Sequence, residues 1–99
     1  EYYPQIIESL KKEYHASPYM EKYVLEALYI LGEDEFALDR MKERYAKMLG
    51  YTDYTTLFEG WGIGAEGFGG GTINHAWSGG PLTMMSQKVC GISPTTPGF

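Results

Sequence analysis

The chain is poor in cysteine, in clustered positive charge and in long apolar runs, and each shortage excludes a class of protein. One cysteine among 99 residues, Cys90, leaves no partner for an internal disulfide. Eight lysines and arginines against thirteen aspartates and glutamates give a net charge of −5, and no basic run forms a stripe. Phosphate recognition needs clustered positive charge, which argues against nucleic acid as a partner. No apolar stretch approaches the roughly 20 residues of a membrane-spanning helix, and no signal peptide opens the chain. The first residue is Glu1 rather than methionine, so the sequence reads as an excerpt of a longer one.

What remains is a globular composition. Hydrophobic residues make up 43% and aromatic residues 15%, nine of them tyrosines, a content that disordered chains lack. The length allows one domain with a modest core. Composition then divides the chain near residue 50. The first half holds ten of the thirteen acidic and seven of the eight basic residues, but only two of the thirteen glycines. The second half holds eleven glycines, both tryptophans and four charges. A helical scaffold followed by a loop-rich aromatic surface fits this division, and loops on rigid scaffolds are where sites usually sit. No internal repeat of fixed period is found.

Periodicity predicts four helices, over about 4–15, 18–31, 34–49 and 81–90, with a long irregular segment over about 51–80. In the first, Ile6, Ile7, Leu10 and Tyr14 recur at helical spacing opposite Glu8, Lys11, Lys12 and Glu13. Ser17-Pro18 supplies an N-cap and a first-turn proline to the second. Its body, Tyr19 to Leu31, is apolar almost all round, broken mainly by Glu21, Lys22 and Glu26, and Gly32 stops it. A helix of that kind is expected to be buried. The third opens on acidic residues near Asp34, favoured by the helix dipole, and carries Phe36, Ala37, Met41, Tyr45 and Met48 on one face up to Gly50. The fourth, apolar at Leu82, Met84, Met85, Val89 and Cys90, is also expected to be buried, with Cys90 as inert packing. The methionines at helical spacing read as core, and His15 as a surface residue at a helix end. Amphipathic and buried helices thus alternate. Two concentric layers of helices would produce that order, and so would a small four-helix bundle with one deeply packed helix.

Chemistry concentrates in the second half. Glu59, in Thr55-Thr56-Leu57-Phe58-Glu59-Gly60-Trp61, is a lone carboxylate among apolar neighbours. Desolvation there would raise its pKa and suit it to accept a proton; the plainer reading is a partly exposed glutamate at the end of a short extended segment. Glu66, between glycines, could form a second carboxylate, but catalytic groups need neighbours that hold their geometry. The glycines spell no phosphate loop, since no Gly-Lys-Ser/Thr follows. Thr72-Ile73-Asn74-His75-Ala76-Trp77-Ser78-Gly79-Gly80-Pro81 gathers an amide, an imidazole, an indole and a hydroxyl, a mixture suited to a sugar. His75 has no histidine or cysteine at ligand spacing, so no metal is expected, and no organic cofactor is suggested.

Three blocks together, Thr55-Thr56-x-x-Glu59-x-Trp61, Asn74-His75-Ala76-Trp77-Ser78-Gly79-Gly80-Pro81 and Gly91-Ile92-x-Pro94-x-x-Pro97-Gly98-Phe99, closely resemble the bacterial α-L-rhamnosidases. The resemblance is close over the second half and extends to the first only in its helical layout. It implies an all-α fold, helical hairpins forming part of an (α/α)6 barrel, with this chain its C-terminal part. It also implies inverting hydrolysis of terminal α-L-rhamnosyl residues from glycosides or polysaccharides, with Glu59 as general base and His75 as a sugar ligand. Trp61 and Trp77 would line the site or brace its loop, and Asn74 would fix the loop or orient His75. Inversion needs a second carboxyl group about 6.5–9.5 Å from the first, and the family's acid lies in a hairpin outside this sequence. Four helices cannot close a ring of twelve, so the helices at 19–31 and 82–90 would show apolar surface unless the remainder of the barrel covers them. The 99-residue chain alone is therefore expected to be inactive and to associate. Two other readings fit the same residues: a barrel glycosidase acting on a different sugar, and a carbohydrate-binding module without catalysis.

Overall fold

Helix-forming runs punctuated by caps shape the first half as the sequence predicts. The computed structural model describes residues 3–64 and 71–98, and the fold is all-α: α1 (Tyr3–Lys12), α2 (Pro18–Ile30), α3 (Asp34–Leu49) and α4 (Gly80–Met84), with no strand among the described residues. Ser17 Oγ caps α2 by accepting from the Met20 N–H at 3.3 Å. At its other end Gly32 takes φ +79°, the Gly32 N–H reaches the Tyr29 carbonyl, and the Glu33 N–H reaches that of Leu28. Those two bonds make a Schellman turn, open at low cost only to a residue without a Cβ. It sends the chain straight into α3, whose first turn carries Asp34 and Glu35.

The core lies between α2 and α3 and is closed by the segment that follows. Leu25 and Leu28 of α2 meet Ala37, Met41, Tyr45 and Met48 of α3, with Phe58 and Met84 completing the cluster. Phe58 anchors the irregular segment: Tyr51 and Tyr54 pack edge-on against its ring, and its N–H points at Met48 Sδ, 3.3 Å away.

At the centre of this helix pair sits a charge cluster that periodicity does not announce. Glu21 and Arg40 are buried, with 0% and 1% of their surface exposed. Arg40 donates through Nε to Glu21 Oε1 at 2.6 Å and through Nη2 to Oε2 at 3.1 Å; Arg44 Nη1 adds a bond to Oε2 at 2.5 Å. The guanidiniums also receive the end of α1. Arg40 Nη1 reaches the carbonyls of Leu10 and Glu13, and Arg44 Nη2 that of Tyr14. The Tyr14 ring lies under Arg40, 4.2 Å away. This explains why α1 ends at Lys12 rather than near residue 15: the carbonyls of its last turn and of the following connector bond to arginine instead of continuing the helical ladder.

Two expectations are corrected. α2 is buried on one face only, through Pro18, Glu21, Leu25 and Leu28, while Tyr19, Met20, Tyr23 and Ile30 are exposed. The fourth helix is α-helical only over Gly80–Met84 and continues as a π turn, Met85–Val89, in which the Cys90 N–H reaches back five residues to the Met85 carbonyl. Gly91 at φ +70° ends it. Pro81 and Met84 are buried, but Leu82, Met85 and Val89 are exposed, and so is Cys90, which is surface rather than packing. Among the described residues no other element lies over these apolar side chains. The chain is accordingly a slab of 41 × 38 × 19 Å with a radius of gyration of 14.7 Å, where a compact domain of this length has about 13 Å. Its accessible surface of 6654 Å² exceeds by roughly 1,000 Å² that of a typical folded monomer of this mass.

Candidate functional site

Glu59 is placed by two segments that run antiparallel beside the core. Its own N–H donates to the Thr72 carbonyl at 2.8 Å, and the His75 N–H donates to the Leu57 carbonyl at 2.8 Å. Side chains lock the same pairing: Thr56 Oγ1 donates to the Ile73 carbonyl and Ser78 Oγ to the Phe58 carbonyl. The buried Ser78, in the 3₁₀ turn Ala76–Gly79, therefore ties the Asn74–Pro81 block to the residue before Glu59. The two sequence blocks meet in space, joined by backbone as much as by side chains.

The carboxylate of Glu59 is half-buried, not enclosed in the apolar setting its neighbours suggest. Leu57 and Phe58 turn toward the core, while Oε2 of Glu59 accepts from the Thr72 N–H at 2.9 Å and from Thr72 Oγ1 at 3.4 Å. Oε1 accepts no hydrogen bond among the described residues. Among the described residues one oxygen is hydrogen-bonded and the other is not, an arrangement that can orient a carboxylate and still leave a lone pair for a water proton.

His75 and Trp77 form a stack beside it. Their rings lie 3.9 Å apart at 14°, and Trp77 Nε1 donates to the Glu59 carbonyl at 3.3 Å. The imidazole is half-buried and the indole partly exposed, so together they offer a flat wall with polar edges. The two tryptophans part here. Trp61 faces the core, with its Nε1 donating to the Ala16 carbonyl at 2.8 Å, its ring edge-on to Tyr45, and the Arg44 guanidinium 4.1 Å from its centre. It braces the loop onto the Glu21 cluster, and Trp77 is the one at the surface beside Glu59. Asn74 is exposed and its side chain makes no hydrogen bond among the described residues, so it neither fixes the loop nor orients His75 through such a bond. Glu66 lies outside the described residues.

Sequence reasoning missed three residues on the far side of Trp77. Tyr19 packs against the indole with ring centres 5.2 Å apart, and Tyr23 is edge-on to Tyr19 at 5.8 Å. The third is Lys22, which shares a cleft with them. Their signal was the i, i+4 spacing of two tyrosines on a helix whose buried face is set by Leu25 and Leu28. Among the described residues no group of histidine, cysteine, aspartate and glutamate side chains could hold a metal ion. No helix among the described residues is long and apolar enough to cross a membrane. No protein-family model, curated protein or solved structure matches this chain.

Proposed function

We propose that these residues form the base side of the active site of an α-L-rhamnosidase that inverts the anomeric centre, within an (α/α)6 barrel to which this chain contributes helical hairpins. The observation that carries the reading is the state of Glu59: Oε2 is held by Thr72, Oε1 accepts no hydrogen bond among the described residues, and the backbone carbonyl of the same residue accepts from Trp77, which stacks on His75. In an inverting hydrolysis the open oxygen takes a proton from the attacking water, and the water oxygen bonds to the anomeric carbon as the glycosidic bond breaks. The leaving oxygen receives its proton from a carboxylic acid on the opposite side of the sugar. That acid is supplied from outside these 99 residues; the buried Glu21 is committed to two arginines and unavailable for the role. The imidazole of His75 meets the hydroxyls of the rhamnosyl unit, and Trp77, its N–H engaged by the Glu59 carbonyl, supports that imidazole by stacking.

The resemblance of the three sequence blocks supports rhamnose as the sugar. The experiment is an assay of an enzyme carrying this chain with the rest of its barrel, on aryl glycosides of several sugars, following the product by NMR. The expected result is turnover of the α-L-rhamnoside with the β-anomer of rhamnose appearing first. Turnover of another glycoside alone would change the sugar, retention would remove the base role, and sugar binding without turnover would leave a carbohydrate-binding module.

A further inference from the structure

Beside the Glu59 loop lies a second cleft, of about 260 Å³, that the hydrolytic reading leaves unused. Its walls come from α2, through Tyr19, Lys22 and Tyr23, and from the returning segment, through Trp77, Gly80 and Thr83. It is smaller than the roughly 300–1,000 Å³ of drug-sized sites, which suits a single sugar ring. Three aromatic rings surround it, each partly exposed (Tyr19 41%, Tyr23 46%, Trp77 39%). The C–H faces of a sugar pack on such rings. Its hydroxyls find the phenols of Tyr19 and Tyr23 and the hydroxyl of Thr83 as donors and acceptors.

Charge narrows the ligand further. Among the described residues Lys22 is the only charged one lining the cleft, and its ammonium, 5.7 Å from the Tyr23 ring, forms no ion pair there. Its stem is clamped. A Cβ added at Gly80 would stand 2.7 Å from the Lys22 Cβ, so the absence of a side chain at Gly80 lets the returning segment press against α2 here. An ammonium in a cleft whose described lining holds no carboxylate is set to receive an anion.

We infer that this cleft binds a sugar unit bearing a carboxylate, paired with Lys22, adjacent to the sugar held at Glu59 and His75. Trp77 is the shared wall, since it stacks on His75, donates to the Glu59 carbonyl and touches Tyr19. The position of the unit relative to the scissile bond rests on the glycosidase reading; the binding itself does not. The substrate class is then an acidic oligosaccharide, not a neutral glycoside.

The test is a titration of the 99-residue chain, followed in ¹H–¹⁵N spectra, with a hexuronic acid disaccharide and with its methyl ester. The acid is expected to shift the Trp77 indole signal saturably while the Trp61 signal stays in place. The ester should bind about two- to fivefold more weakly, and Lys22→Met should bring the acid to the ester's level. Tyr23→Ala should weaken both ligands. Equal binding of acid and ester, unchanged affinity in Lys22→Met, or no saturable shift would each overturn the inference. If the acid binds as described while the barrel enzyme hydrolyses nothing, the cleft stands and the catalytic role of Glu59 falls.

Discussion

Replacing Glu21 by glutamine alters one buried charge and keeps its shape. In the native chain its two oxygens accept three bonds, two from Arg40 and one from Arg44. The amide oxygen of glutamine can keep bonds on one side only, and its NH₂ group then faces guanidinium donors. Arg40, fully enclosed, loses its counter-charge and retains only the carbonyls of Leu10 and Glu13. Breaking a buried pair by removing one partner costs about 3–5 kcal/mol. A chain of this length has about 5–15 kcal/mol in total, so the variant should lose about a fifth or more of its stability. At a urea dependence of about 1.5 kcal/mol per molar, the unfolding midpoint falls by about 2–3 M. Circular dichroism at 222 nm measures it, and Trp61 emission should shift to the red as its Arg44 and Ala16 contacts loosen. Converting all three residues together, Glu21→Leu with Arg40→Met and Arg44→Met, removes every buried charge and should recover only part of the loss, because the carbonyls of Leu10, Glu13 and Tyr14 lose their arginine donors. A Glu21→Gln penalty below about 1 kcal/mol would refute the claim that this cluster joins α1, α2 and α3.

The remaining predictions concern alkali, packing and association. Burial, with a smaller contribution from Glu21, pushes the Tyr45 phenol well above its ordinary value, against a small lowering by Arg44. The folded state holds that proton more tightly than the unfolded one, so the stability it contributes is intact below about pH 10 and falls as pH rises beyond it. Tyr45→Phe should flatten that alkaline fall while costing about 1 kcal/mol at neutral pH through loss of the bond to the Pro18 carbonyl; urea midpoints from pH 7 to 11.5 measure both. Gly80→Ala must displace Lys22 or α4 and should cost about 1–3 kcal/mol, read in the same urea titration. The uncovered Ile30 (71% exposed) and Leu82 (67%), with the apolar cleft between α3 and α4, should make the 99-residue chain self-associate. Sedimentation velocity should then show concentration-dependent species, and a strict monomer up to about 100 μM would contradict this.

Local signals were legible and distant pairings were not. Ser17-Pro18, Gly32, the acidic start of α3 and Gly50 each mark a boundary that the structure keeps within a residue, because a cap or a left-handed turn acts within a few residues. Glu21 looked like a polar break in an apolar helix. Its partner Arg40 is nineteen residues away, and only the shared stripe of Glu21 with Leu25 and Leu28, facing that of Arg40 with Ala37 and Met41, hinted that both charges turn inward. The apolar circumference of α2 suggested burial all round, which needs more neighbours than this chain provides. At the site, the resemblance alone brought the two sequence blocks together; composition did not, and neither told which tryptophan goes where. Trp61 goes to the core through a bond to Ala16, forty-five residues earlier, and Trp77 to the surface beside Glu59.

The central claim, that the open oxygen of Glu59 activates water, is tested most directly by Glu59→Ala in an enzyme carrying this chain, assayed on an aryl α-L-rhamnoside with and without azide. Without the base, turnover should fall by about 10²–10⁴-fold, and azide, a nucleophile that needs no base, should restore it with a β-L-rhamnosyl azide as product. Wild-type turnover in the variant would contradict the account and remove Glu59 from the chemistry.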